Sequence, residues 1–511
     1  MKRGRTVTRA VTAIAAGAAV LIGVAGTAPA APKAVASGQS AVRPTISDWQ
    51  FVSAGTAPPS QAACNAITPL ARRCFDPVAM ANSYDYAGLT NRGAGKTIAL
   101  VDSFGSSTIA SDLNNFDTQF SLQHMCGETG VTCSSGMPTF SILNVQGSPP
   151  PNPPPASNGT GQENHSAWAL EVSLDVEWAH ATAPMANVLL VTTPTAETLG
   201  VQGLVQMMNA EQYVVDHHLA DVISQSFAAG EASFSSFVSL QNLRHAFISA
   251  QANHVTVFGS SGDGGTTNGV KEPVKNAAVI PYPSVVWPAS DPLVTGVGGT
   301  NLCTNAVTGT SIDTVSPPLA CQSARNPTGD RETAWVDAGG GYSIYFPRPA
   351  FQDTLPPGSS YVGSSVGAPG PNSNMRGVPD IAYQASQRTG VLVYMTEAST
   401  KGGSAGCTAT VPCSPGWYVV GGTSSSSPQW AGLIAIADQV AGRDLGYINP
   451  SLYAVANNPS EYANDFYDVT HGNNQTSSIP GYSASAGWDA VTGLGTPDAA
   501  HLIPDLITAT P

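Results

Sequence analysis

Four consecutive serines stand in the segment Gly421-Gly422-Thr423-Ser424-Ser425-Ser426-Ser427-Pro428. Strand-like residues Trp417–Val420 precede it. Gln429–Ala441 follows, with Trp430, Leu433, Ile434 and Ala437 spaced for one helical face. The spacing predicts a helix over Pro428–Ala441. A serine at such a junction sits at a helix start, where unpaired N–H groups favour developing negative charge. That suits a nucleophile whose substrate becomes an oxyanion. Gly/Thr/Ser clusters also form ordinary N-caps, so the segment alone leaves both readings open.

A serine nucleophile needs a base. The nine histidines are at 124, 165, 180, 217, 218, 245, 254, 471 and 501, and none precedes a Gly-Thr pair. The helix expected over Ser166–His180 offers carboxylates instead. Glu171 and Asp175 are four apart and share a face, with Trp168 and Leu174 nearby. Two carboxyls so close share a proton over part of the pH range. Such a pair supplies a base and the group that orients it, or merely an acidic surface face. The apolar residues around it favour burial. Glu177, two residues past Asp175, is expected to point elsewhere and be solvated.

Asp263 lies in Ser260-Ser261-Gly262-Asp263-Gly264-Gly265, at the carboxyl end of the strand-like Val255–Ser260. An Asp there forms turns. Protonated, it also donates a hydrogen bond to an oxyanion. Near the C-terminus, Asp468-Val469 and Ser485-Ala486-Gly487-Trp488-Asp489 bring two carboxylates and flexible backbone together, a donor set for a hard cation. Their spacing matches no EF-hand loop.

As an ordered set these residues resemble the sedolisin family, the serine-carboxyl peptidases. The resemblance rests on Gly422–Pro428 (Gly-Thr-Ser-x-x-x-Pro), Glu171-x-x-x-Asp175 and Ser261-Gly262-Asp263. It also rests on Asp468-Val469 with Gly487-Trp488-Asp489. Val297–Thr300, Gly339–Gln352, Arg376–Ile381 and Asn449–Tyr453 are lesser matches in the same order. The resemblance implies a subtilisin-like fold and a peptidase with an acidic optimum, more endo- than exo-acting. It implies Ser424 as nucleophile, Glu171 as general base, Asp175 as its orienting partner and Asp263 as oxyanion donor. It implies one structural calcium ion, held by the side chains of Asp468 and Asp489 and the carbonyls of Val469, Ser485 and Gly487. Relatives usually carry Gly where Ser485 stands, and a carbonyl ligand does not require it. Family precursors also carry a long pro-domain, whereas residues 37–75 leave room only for a short N-terminal extension.

The elements that must position these groups alternate between strand and helix. Strands are expected at Thr97–Asp102, Asn187–Thr192, Val222–Phe227, Val255–Ser260 and Val294–Gly298. Helices are expected at Ser166–His180, Val201–His218, Ser235–His254 and Pro428–Ala441. This order implies an α/β fold, with a central, mostly parallel sheet covered by helices on both faces. Residues 76–511 are read as one large domain. Sites in such sheets lie at the carboxyl ends of strands. Pro149–Pro155 reads as an extended surface insertion, and Pro356–Ser373 as a long loop.

Composition narrows the class. The chain has 511 residues and a net charge of −14, and only 11% of its residues are charged. The acidic balance argues against a nucleic-acid partner, and the 42% hydrophobic content argues against a disordered acidic chain. In acid, carboxylates lose charge, and few Lys and Arg limit positive self-repulsion. Residues 1–36 read as a secretory signal: Lys2, Arg3, Arg5 and Arg9, then the apolar Ala10–Val24, then Ala-rich cleavage options. Export without a membrane anchor is expected. The eight cysteines fit it as four local disulfides: Cys64–Cys74, Cys126–Cys133, Cys303–Cys321 and Cys407–Cys413. The expected partner is a protein or peptide substrate, and the chain is expected to act as a monomer.

Two rival readings remain. One is a subtilisin-type Ser–His–Asp peptidase, with Asp102 of Ala99–Ser103 as its acid. The other is a secreted binding protein on a non-catalytic peptidase scaffold.

Overall fold

Thr97–Ser103 (TIALVDS) shows why the sheet lies at the centre of the molecule. Its side chains alternate between two cores. Ile98 and Leu100 join one apolar cluster, and Ala99 and Val101 join the other. A strand buried on both faces needs helices on both sides. The computed structural model describes residues 43–44, 47–68, 71–148, 165–195, 201–268, 279–314, 317–359, 361, 374–397, 415–476 and 478–511, with Met1. The signal segment beyond Met1, Pro149–Pro155, the Cys407–Cys413 pair and most of the Pro356–Ser373 loop lie outside the described residues.

Twelve strands matter here, numbered along the chain. They are β1 Ser47–Ser53, β2 Arg73–Phe75, β3 Thr97–Ser103, β4 Phe140–Asn144, β5 Asn187–Thr193 and β6 Val222–Gln225. They continue as β7 Thr256–Ser260, β8 Thr295–Leu302, β9 Glu332–Ala334, β10 Ile381–Gln384, β11 Thr389–Met395 and β12 Gly416–Gly421. The central sheet has the order β9-β8-β7-β6-β3-β5-β4, with β10 also paired to β8. All its pairings are parallel except β8 with β9. The expected mostly parallel sheet is therefore the observed one.

The helices that matter here are α1 Ile109–Phe120, α2 His165–Thr182, α3 Val201–Asp216, α4 Phe237–Gln241, α5 His245–Ala252 and α6 Thr423–Ala441. The single helix expected over Ser235–His254 is two. Ser236 and Ser239 form a reciprocal capping box that starts α4, and a turn separates it from α5. The expected Pro428 start of α6 is also corrected. The helix begins five residues earlier, at Thr423, and runs through Pro428. Pro428 has no N–H to give to the Ser424 carbonyl, so the first turns relinquish one helical bond.

Within the expected N-terminal extension, residues 47–53 and 73–75 are strands. β1 pairs antiparallel with β12, and β2 pairs parallel with β11. Three of the expected disulfides are formed, Cys64–Cys74, Cys126–Cys133 and Cys303–Cys321. Among the described residues no helix is long and apolar enough to cross a membrane.

Candidate active site

Two central helices carry most of the candidate groups, and a glycine sets how closely they approach. A Cβ on Gly432 of α6 would stand 2.7 Å from Thr182 Cβ of α2. A side chain there would push the helices apart. α2 is enclosed by α6, the central sheet and β11, so it has no solvent face: residues 168–182 are all buried. This overturns the expectation for Glu177. It is fully buried, and its Oε2 accepts the N–H of Tyr394 at 3.0 Å. An i, i+2 offset predicts a different direction, but every direction from this helix leads into protein.

Glu171 and Asp175 are both fully buried. Ser226 Oγ donates to Asp175 Oδ1 at 2.9 Å. Burial raises the Glu171 carboxyl well above its ordinary range, and the charges of Asp175 and Asp102 raise it further. The Ser424 hydroxyl acts in the opposite sense and lowers it. Both Glu171 oxygens are buried, and Ser424 is the hydroxyl beside them. Burial also raises Asp175, and the Asp102 charge adds to it. Sequence reasoning had given Asp102 only to the rival triad. At the carboxyl end of β3 it is fully buried, and burial pushes it up to about 8. Its place on a strand end was the signal available in the sequence.

The serine run is sorted by its partners. Ser425 Oγ donates to Gln384 Oε1 at 3.2 Å, and Ser426 Oγ donates to the Gln384 carbonyl at 3.2 Å. Ser427 Oγ lies 2.8 Å from Ser224 Oγ. Ser424 is the one that faces Glu171. Ahead of it, Gly422 has φ +115°, a backbone that only glycine adopts readily. Its N–H donates to the Ala385 carbonyl at 2.6 Å, which anchors the turn into α6.

Asp263 follows β7 and is half-buried. Its Oδ1 accepts the Thr423 N–H at 2.8 Å and the Thr423 hydroxyl at 2.9 Å. Gly262 N–H donates to Thr423 Oγ1 at 3.1 Å. Asp263 is thus tied to the residue next to Ser424. The structure brings together Ser424, Glu171, Asp175, Asp263 and Asp102.

A second cluster lies in the C-terminal loops. Gly487 N–H donates to Asp468 Oδ2 and Ser485 N–H to Asp489 Oδ2, each at 2.9 Å. The 485–489 loop therefore spans both carboxylates. Asp489 Oδ1 also accepts from Val491 and Thr492 N–H groups. Asp468 Oδ1 is buried without a hydrogen-bond partner. Burial raises both groups, Asp489 to about 7. A carboxylate pair, Asp489 buried and Asp468 half-buried with an unsatisfied oxygen, fits a hard cation.

No family model matches the chain. Curated relatives do. Kumamolisin from Bacillus sp. (strain MN-32) is 30% identical over 346 residues, 66% of this chain and 50% of its own length. Sedolisin from Pseudomonas sp. (strain 101) is 28% identical over 431 residues, 84% of this chain and 60% of its own. Mouse (Mus musculus) tripeptidyl-peptidase 1 is 27% identical over 360 residues, covering 68% and 53%. The solved structure of Pseudomonas sedolisin, a serine-carboxyl proteinase complexed with two molecules of pseudo-iodotyrostatin, superposes with TM-score 0.57 at 25% identity. It covers 85% of this chain and 98% of that one. These likenesses support membership of the sedolisin family. It spans between 50% and 60% of the length of these three curated relatives. The fold is the subtilisin-like α/β arrangement expected for a sedolisin.

Proposed function

We propose that this sedolisin homologue is a secreted peptidase that works in acid, with Ser424 as nucleophile and a carboxylate, Glu171, as its base. The carrying observation is the buried Glu171 carboxyl beside the Ser424 hydroxyl. Three neighbouring carboxyls do not ionise together; Glu171, Asp175 and Asp102 titrate as one set. The first charge costs least. Glu171 carries it best, because Ser424 can donate to that oxygen and Asp175, still protonated, can donate to another.

The reaction is acyl transfer. Ser424 Oγ attacks the peptide carbonyl carbon while Glu171 takes its proton. The carbonyl oxygen becomes an oxyanion, and protonated Asp263 donates to it. Removing one such donor typically costs about 10²–10³-fold in rate. Glu171 returns its proton to the leaving amine, the C–N bond breaks, and an acyl-enzyme remains. Water, deprotonated by Glu171, hydrolyses that ester and regenerates Ser424. Asp263 must hold a proton, and an ordinary Asp does so only near or below about pH 4. An acidic optimum follows.

The same reading assigns one calcium ion to the Asp468 and Asp489 side chains and the carbonyls of Val469, Ser485 and Gly487. Calcium would neutralise the buried Asp489 and half-buried Asp468 carboxylates and fix the loops there. Residues 1–36 act as the export signal, and the substrate is a protein or peptide. Activity on a protein substrate at pH 3–5 tests the assignment. Wild type is expected to cleave, and Ser424→Ala and Glu171→Gln are expected to be nearly inactive. Full activity in either variant rejects it.

A further inference from the structure

Five residues beyond Asp175, helix α2 carries a second group of buried ionisable residues, on the side facing α1. His180 and Asp117, the latter on α1, are both fully buried, and His180 Nε2 approaches Asp117 Oδ2 at 3.2 Å. The loop that leaves α1 supplies His124 and Glu128. His124 Nδ1 lies 2.6 Å from Glu128 Oε2. One ligand atom each from Asp117, His124 and Glu128 can be chosen so that all lie within 4.8 Å of one another.

We propose that Asp117, His124 and Glu128, with His180 behind Asp117, form a binding site for a divalent transition-metal ion of the zinc type. The donors that lie together are one imidazole and two carboxylates, a set that suits zinc. At Zn–N and Zn–O distances of about 2.0–2.2 Å, tetrahedral ligands stand roughly 3.3–3.5 Å apart. The His124–Glu128 pair must open by less than about 1 Å. The His124–Glu128 hydrogen bond is what the metal would replace.

An independent observation points to an ion. Both Asp117 oxygens are fully buried and lack a well-formed hydrogen bond; the donor beside them is His180 Nε2, 3.2 Å from Oδ2. The Glu128 carboxyl also acts on Asp117 as a neighbouring negative group. Two carboxylates this close, away from water, call for a cation.

The surroundings hold the set in place. Asn114 Nδ2 donates to Glu128 Oε2 at 3.1 Å, and the Met125 N–H donates to Glu128 Oε1. The Gln123 carbonyl faces the His180 ring. Contacts of this kind orient metal ligands. The Cys126–Cys133 disulfide closes the loop carrying His124 and Glu128. His124 is about one-third exposed and gives an entry path. A bound ion would join α1, this loop and α2, the helix that bears Glu171 and Asp175.

The test is titration of the full secreted chain with Co²⁺ and with Zn²⁺ at pH 7, after chelation and with calcium restored to saturation. One equivalent of Co²⁺ is expected to bind with the visible absorption of a tetrahedral site, and Zn²⁺ is expected to displace it. His124→Ala and Asp117→Asn should each weaken binding at least about 100-fold. His501→Ala, in the exposed Asp85/Asp498/His501 group, should leave it unchanged. Should Asp117→Asn misfold, His124→Ala or His124→Gln, at a partly exposed side chain, still decides. No stoichiometric binding overturns the proposal. So does binding that survives loss of His124 in a folded variant, or that disappears with His501.

Discussion

Ser226 Oγ donates a 2.9 Å hydrogen bond to Asp175 Oδ1, the carboxyl one helical turn beyond Glu171. It fixes the orientation from which protonated Asp175 reaches Glu171. A hydrogen bond to a neutral group contributes about 0.5–1.5 kcal/mol. Ser226→Ala is therefore expected to lower kcat by up to about 10-fold with little change in KM. Steady-state kinetics on a peptide substrate would check this. An unchanged kcat removes Ser226 from the positioning network.

Thr423 ties Asp263 to the start of α6 through its N–H and its hydroxyl. Thr423→Val deletes only the hydroxyl. A fall in kcat of about 10-fold is expected, with recovery in Thr423→Ser. If Val and Ser variants behave alike, the hydroxyl does not position Asp263.

Asp102 is pushed up to about 8, so in the acid working range it is protonated and puts no charge on Glu171. Asp102→Asn is therefore expected to leave the acid limb of the kcat/KM profile in place. A shift of that limb to lower pH would reveal a charged Asp102 and contradict the single-charge cluster.

Buried acids make stability depend on pH in a fixed direction. Asp102 is pushed up to about 8, Glu231, Asp438 and Asp489 to about 7, and Asp117 to about 6. A carboxyl whose folded pKa exceeds its unfolded value binds its proton more tightly when folded. Its contribution is complete below about pH 4 and is lost as pH rises through the folded value. Tm is therefore expected to fall between pH 4 and pH 8 in the presence of chelator. A Tm that rises over that range would contradict these assignments.

The calcium ion proposed at Asp468 and Asp489 would stabilise the loops that carry them. Saturating calcium at about 100 times its Kd adds about 2.7 kcal/mol to stability. At pH 7, chelation is expected to lower Tm, and Asp468→Asn to abolish the difference. Equal melting with and without calcium in wild type would remove the ion from the account.

How much of this was legible in the sequence follows from which forces are local. The alternation of apolar runs revealed the parallel sheet, because a strand with two buried faces needs apolar side chains at nearly every position. The i, i+4 spacing of Glu171 and Asp175 is a property of any helix. What surrounds that helix is not. Glu177 was misplaced because tertiary packing of α6 and β11 removed the solvent face that spacing assumes. Pro428 misled in a similar way: proline favours a first turn, but the bonds of Ser425, Ser426 and Ser427 to Gln384 and Ser224 hold the helix start earlier. Asp102 was visible at a strand end, yet its partners come from another helix. The cluster of Asp117, His124, Glu128 and His180 spans three elements, and no single spacing joins it.

The most direct test is the kcat/KM profile of the purified chain on a protein substrate from pH 3 to pH 8, beside Glu171→Gln. An acidic optimum is expected, with a loss of at least about 10²–10⁴-fold in the variant. An optimum above pH 7, or a variant as active as wild type, would contradict a carboxylate as the base of Ser424.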